Sequence, residues 1–462
     1  MKLKTKQILS SGEQHRRMTE TPIPKLIVSM AVPTTTSQLI TVAYNVADTY
    51  FVAQIGTSAA AAVGVVFSLM SIIQAFGFGL GMGAGSLISR RLGAKKNEEA
   101  NSFGSSAFFA AIAGGFVLLM GGMLTLQWLM RVLGSTETML PYTCAYARYI
   151  LLGAPLMCAS FVLNNILRSE GEATFAMLGL CTGGILNTVL DPLFIFVMNM
   201  GISGAALATV LSQAVSFLVL LSAFLRGKSI VKLSIRNVSH RWQEYGMILK
   251  NGFPTICRQG MASLAAALMN VQAAVYGDAA VAAITISNKI YMLVRNIVIG
   301  IGQGFQPVAG YNYGAGCKKR VRQAFLFSCE LGTAICVIAT LLLAFHSGTV
   351  ILWFRNDSEV IRIGTAALNY ACMVMPFLAY STYVNQMYQC LGFSVPATFL
   401  ASCRQGIFFV PLIFLLPKFF GVAGVEGCQP ASDLLTFVVS VPFQIWFFKK
   451  VLVRSKEKVN AA

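Results

Sequence analysis

The chain has 462 residues, of which 56% are hydrophobic and only 11% charged, with a mean hydropathy of +0.68. A water-exposed surface needs about a quarter of its residues charged, so the composition excludes an ordinary soluble protein and demands lipid as solvent. The formal charge of +18 would suit nucleic acid, but it gathers in short connections between apolar stretches, as in the cytoplasmic loops of helical membrane proteins; no nucleic-acid partner is expected.

Residues 1–24 carry charge without an apolar run and small-residue cleavage site, and read as a retained cytoplasmic leader. A helical bilayer crossing takes roughly 20 apolar residues. Six such segments follow, near 25–50, 58–86, 103–126, 141–167, 173–199 and 203–225. A basic linker over 227–245 leads to six more, near 246–276, 280–311, 321–346, 360–388, 396–418 and 424–447, and a basic tail occupies 449–462. The chain is therefore predicted to be all-α and integral to the membrane, with about twelve transmembrane helices in two six-helix lobes, 25–226 and 246–448. The segments are too long for barrel strands and lack period-two alternation.

With both ends inside, 26 Lys and Arg, Arg168 among them, fall on the cytoplasmic side, against five outside: Arg131, Arg148, Arg355, Arg362 and Lys418. That asymmetry predicts cytoplasmic termini, and the lack of a transit peptide points to a bacterial plasma membrane. The eleven Cys lie mostly in apolar segments without a C-x-x-C and read as small buried hydrophobes. His15, His240 and His346 have no ligand spacing, and no nucleophile–base set is evident, so an enzyme is not expected.

Shifted by 221 residues, the sequence matches itself. Pro33 meets Pro254, Gly79, Gly81 and Gly83 meet Gly300, Gly302 and Gly304, Gly93 meets Gly314, and Asn164 meets Asn385. Six spans per half give both halves the same orientation, the parallel-repeat transporter plan, with a mid-membrane cavity between lobes. The glycine runs have small-x-x-x-small spacing and read as close helix packing. No Gly-Lys-Ser/Thr follows them, so a nucleotide-driven pump is not indicated.

Charges inside spans are costly and mark function. Asp48 lies in the first span, and Asn187 and Asp191 lie one helical turn apart in the fifth, where Pro192 withholds an amide from the Thr188 carbonyl. Carboxylate, amide and hydroxyl oxygens suit a proton or a hard cation. Position 48 corresponds to Met269 in the second half, and 191 to Leu412 or Val410, so both acids are confined to the N-terminal lobe. Glu330, or backbone carbonyls freed by Pro254, are candidate partners for Arg258 and Arg404, whereas Glu426 and Asp433 are expected near the outer end of the last span or packed against neighbouring helices, and neither is selected as a site residue.

Asn45-x-x-Asp48-Thr-Tyr-Phe-Val-Ala-x-Ile-Gly56, Leu167-Arg-Ser-Glu-Gly171, Asn187-x-x-x-Asp191-Pro192 and above all Gly302-Gln-Gly-Phe-Gln-Pro-Val-Ala-Gly-Tyr-Asn-Tyr-Gly-Ala315 resemble signatures of the multidrug and toxic compound extrusion (MATE) family, in its MepA-like bacterial branch. The resemblance runs from about Lys25 to Lys450. It implies a secondary-active antiporter that exports diverse cationic and aromatic drug-like compounds against H+ or Na+, through an alternating-access cavity. It further implies an ion site of Asp48, Asn187, Asp191 and Thr209, with Tyr44, Asn45 and Asn164 facing the cavity. The coupling ion is then the sole cofactor, no metal other than Na+ is implicated, and a monomer in contact with membrane lipid is expected. The acidic residues that the NorM-type pattern places in the seventh and tenth spans are missing, which puts a C-lobe sodium site in doubt. A flippase for lipid-linked saccharides from the same superfamily is the alternative, favoured if Arg258, Arg295 and Arg404 share one aqueous cavity.

Overall fold

Lipid offers backbone groups no hydrogen bonds, so a spanning chain satisfies them within helices. The computed structural model describes residues 11–452, and their regular structure is helical. A short helix α1 (Ser11–Glu20) precedes α2 (Ile23–Ala53), α3 (Thr57–Gly93), α4 (Asn97–Leu124), the short α5 (Leu126–Val132), α6 (Leu140–Ser169), α7 (Ala173–Pro192) and α8 (Gly201–Leu225). The second half holds α9 (Trp242–Ala274), α10 (Asp278–Gly314), α11 (Lys318–Phe354), α12 (Ser358–Cys390), α13 (Ser394–Ser402), α14 (Phe409–Phe420) and α15 (Val422–Trp446). A π-helical turn, Leu193–Val197, extends α7, and another, Cys403–Ile407, joins α13 to α14 into one span.

Among the described residues, eleven spans are long and apolar enough to cross a membrane. The twelfth predicted span is α9, equally long at 33 residues but less apolar, since it carries Glu244, Lys250 and Arg258. Residues 1–10 and 453–462, and with them much of the expected leader and tail, lie outside the described residues.

The repeat is visible in three dimensions. Helix α6 packs on α3, α4 and α8, and its counterpart α12 packs on α10, α11 and α15. Asn164 Nδ2 donates to the Ala176 carbonyl at 2.9 Å, and Asn385 Nδ2 donates to the Ala397 carbonyl at 2.6 Å, the same bond 221 residues on.

The lobes meet where α3 crosses α9 and α10 crosses α2. A Cβ on Gly304 would stand 2.6 Å from the Ala31 amide nitrogen, and one on Gly83 would strike the Ile248 carbonyl. Gly93 and Gly314 likewise each abut the other helix's backbone, at Tyr311 and Arg90. These glycines serve interlobe approach, because a side chain would hold the backbones apart.

One sequence expectation needs correction at this end of the molecule. Arg168 is not a loop charge: it is buried, and its guanidinium donates to Gln303 of the opposite lobe and to Asn165. Within the expected leader, α1 wedges between the lobes. Gln14 Nε2 donates to the Glu170 carbonyl at 2.6 Å, Arg17 pairs with Glu172 at 3.3 Å, and Asn312 Nδ2 reaches the Met18 carbonyl at 3.0 Å. The interlobe connection is pinned as well, because the buried Glu170 carboxyl accepts from Ser229 Oγ and the Ile230 amide, each at 2.7 Å. Burial pushes that carboxyl up to about 8.

Candidate ion site and interlobe cavity

Four of the sequence-selected residues converge inside the N-terminal lobe. Helix α7 carries Asn187 and Asp191 on one face, and Asn187 Nδ2 donates to Asp191 Oδ1 at 3.2 Å and lies 3.4 Å from Thr209 Oγ1 on α8. Asp48 on α2 brings its carboxyl against that of Asp191. Asp191 is fully buried, and Asp48 Oδ1 and Asp191 Oδ2 are enclosed without a hydrogen-bond partner among the described residues. Two facing carboxylates with idle oxygens repel unless a proton or cation lies between them, and the donor set of carboxylates, amide and hydroxyl fits either ion.

Tyr146 on α6 completes this cluster. It is 1% exposed and faces Thr209, Asp48 and Asp191. Sequence reasoning passed over it, although its repeat counterpart is Ala367, the same loss of symmetry that singled out the two acids.

Beside the cluster lies a cavity of about 330 Å³ between the lobes, within the range that accepts drug-sized ligands. Tyr44 and Asn45 line it, and Tyr44 also packs on Gly184 and faces Asp48, so one residue separates ion site from cavity. Asn164 is not part of this wall: its amide forms the repeat-related bond to α7 and borders a small satellite pocket with Arg168 and Gln303.

The C-terminal wall differs from the expected pairing. Arg258 on α9, Arg295 on α10 and Arg404 in the turn after α13 all line the same cavity. Glu330, offered as a partner, is exposed on α11. Arg404 instead pairs with Asp433, Nε to Oδ1 at 2.6 Å, and the Tyr291 hydroxyl donates to the same carboxylate. Asp433, at 4% exposure, is packed within the lobe rather than at its outer end, and is the buried counterion of Arg404. Spacing gave no hint of this pair, because its partners lie on different helices 29 residues apart.

The MatE family model matches residues 33–193 and 254–415, one match in each half. The chain belongs to this family. The multidrug export protein MepA of Staphylococcus aureus strain MSSA476 is 26% identical over 416 residues, covering 89% of this chain and 91% of that protein. A MATE transporter solved in complex with MaL6 superimposes with a TM-score of 0.89 at 25% identity, covering 94% of this chain and 98% of that one. A MOP-superfamily transporter from Pyrococcus furiosus, described as having a binding pocket of reverse polarity that suggests a different function, gives 0.88 at 26% identity over 95% and 99% of the two chains. MatE-family membership makes this a multi-pass membrane transport protein.

Proposed function

We propose that the protein is a secondary-active exporter that expels drug-like small molecules in exchange for H+ or Na+, with Asp48, Asn187, Asp191 and Thr209 as the coupling site. The observation that carries this reading is the pair of facing, incompletely partnered carboxyls one residue from the cavity. Loading an ion neutralises the pair and lets α2 lie against α7; unloading leaves two like charges that drive the helices apart. Because Tyr44 touches both compartments, that movement alters the cavity wall. An ion shifts such an equilibrium only by binding the two states differently, and the carboxyl pair supplies that difference.

The extrusion of several compounds is supported by the name of the staphylococcal relatives, multidrug export protein. With the loops of Arg90, Arg91, Lys95, Lys96 and Lys318 to Arg322 in the cytoplasm, the glycine contacts close the lobes together at the inner end. Alternating access then requires the seal at Gly83, Gly93, Gly304 and Gly314 to part. One chain holds both walls, so a monomer suffices and no catalytic step is invoked. Proteoliposomes with imposed pH or Na+ gradients test the reading: gradient-driven movement of a fluorescent substrate by the wild type and its loss in Asp191→Asn are expected. Export that ignores both gradients would overturn it.

A second reading, a flippase for lipid-linked saccharides, is favoured by one observation, the three guanidiniums in a single cavity. Gradient-independent scrambling of a polyprenyl pyrophosphate would choose it over the exporter.

A further inference from the structure

The cavity wall carries a charge opposite to the one expected for cationic cargo. Among the described residues no Asp or Glu lines it, whereas Arg258, Arg295 and Arg404 do. The nearby carboxylate of Asp433 is engaged by Arg404 through Nε at 2.6 Å and Nη2 at 3.3 Å. Three guanidiniums therefore face one carboxylate. Arg258 and Arg295 have no ion-pair partner among the described residues, and Arg295 Nε is enclosed with no acceptor at all. Guanidinium stays protonated at any physiological pH, so this excess charge is permanent, and enclosing a cation without a counterion is costly unless a ligand supplies one.

The repeat shows that this charge is peculiar to one lobe. Counted back by 221, Arg258 falls on Ser37, Arg295 on Gln74 and Arg404 on Gly183. The facing N-terminal wall is neutral and aromatic. Tyr44 and the stacked pair Phe78 and Phe161, with ring centroids 4.4 Å apart, stand among the amides of Gln38 and Gln74. One side of the cavity thus offers two fork-shaped donors without acceptors, and the other offers ring faces.

Resting on the reading of this cavity as the transport site, we propose that its cargo is an anionic amphiphile: a carboxylate, sulfonate or phosphate head held by Arg258 and Arg295, with an aromatic or apolar body against Tyr44, Phe78 and Phe161. Guanidinium forks match planar and tetrahedral oxyanions in geometry as well as charge. Arg404, already neutralised, fixes the wall.

The test is equilibrium binding to detergent-purified protein, which needs no gradient and so stands or falls apart from ion coupling. Carboxyfluorescein, an aromatic carboxylate, is titrated by fluorescence anisotropy beside the aromatic cation ethidium. The wild type is expected to bind carboxyfluorescein saturably and at least about tenfold more tightly than ethidium, and Arg258→Gln/Arg295→Gln to weaken it about tenfold or more while leaving ethidium unweakened. Arg258→Lys/Arg295→Lys should recover part of the loss. In case the double variant does not fold, the wild type alone is challenged with 1-naphthalenesulfonate against 1-naphthylmethylammonium, where displacement by the sulfonate only is expected. A polyprenyl pyrophosphate distinguishes the source. Displacement at lower concentration than inorganic pyrophosphate assigns a lipid-borne head, and displacement by soluble aromatic anions alone assigns a free one. Absence of saturable carboxyfluorescein binding, equal binding by the Gln variant, or preference for ethidium would each overturn the proposal, even if gradient-driven export of cations were intact.

Discussion

Replacing Asp433 by Asn keeps the shape of the side chain and removes one charge from beneath the cavity wall. Asp433 receives Arg404 Nε at 2.6 Å and Gln429 Nε2 at 2.9 Å, along with the Tyr291 hydroxyl. At an effective dielectric of about 20, unit charges some 4 Å apart attract by about 4 kcal/mol. Removing one member of a buried pair typically costs about 3–5 kcal/mol, because the survivor stays buried and uncompensated. Arg258 and Arg295 add to the cost, since three guanidiniums would then share a wall without any counterion. Thermal unfolding of the purified protein reads this directly. Asp433→Asn is expected to lower the midpoint by about 5 °C for a chain of this size, and Arg404→Gln/Asp433→Asn to recover most of it, since the double variant leaves no orphaned charge at this position. A single variant melting within about 1 °C of the wild type would refute the ion pair as a structural element of the C-terminal lobe.

Asp48→Asn and Asp191→Asn should each yield folded, monodisperse protein that has lost gradient-driven export, because an amide keeps hydrogen bonds but carries no titratable charge; near wild-type export by either, measured in proteoliposomes, assigns that carboxyl a structural role. Gly304→Ala places a methyl 2.6 Å from the Ala31 nitrogen and should destabilise the sealed interlobe face by about 1–3 kcal/mol, seen as wider interlobe distances between spin labels; unchanged distances would show that the face yields. Docking of α1 should depend on pH. Burial, aided by nearby Lys95 and opposed by Glu20, lowers His15 from 6.5, so the docked state takes up fewer protons than the undocked one. Docking is complete above pH 6.5 and weakens as the pH falls below it, and hydrogen exchange over 11–20 should rise on acidification in the wild type but not in His15→Gln.

Much of the architecture was legible in the sequence because lipid leaves a spanning segment little choice. Eleven of the twelve predicted stretches became helices long and apolar enough to span, and the twelfth became the less apolar α9; most are longer than predicted, since the helices run on past the apolar window into loops that composition alone cannot delimit. Asp48, Asn187 and Asp191 could be grouped in advance because an intramembrane acid is conspicuous and helical period places Asn187 beside Asp191, whereas Thr209 joined them only through the family resemblance. Tyr146 was missed because an aromatic residue in an apolar span is unremarkable by itself; only its broken repeat position, opposite Ala367, could have flagged it.

What the sequence by itself determined is the helical, two-lobed, membrane-bound plan and the confinement of both acids to one half, since hydropathy, the 221-residue repeat and its broken positions are properties of the string. Tertiary structure alone decided which charges meet. Arg404 chose Asp433 over Glu330, Arg168 left its loop for Gln303, and Arg258 and Arg295 were left facing a common cavity. Long side chains on different helices find partners through the packing of those helices, and no local pattern encodes the distance between them.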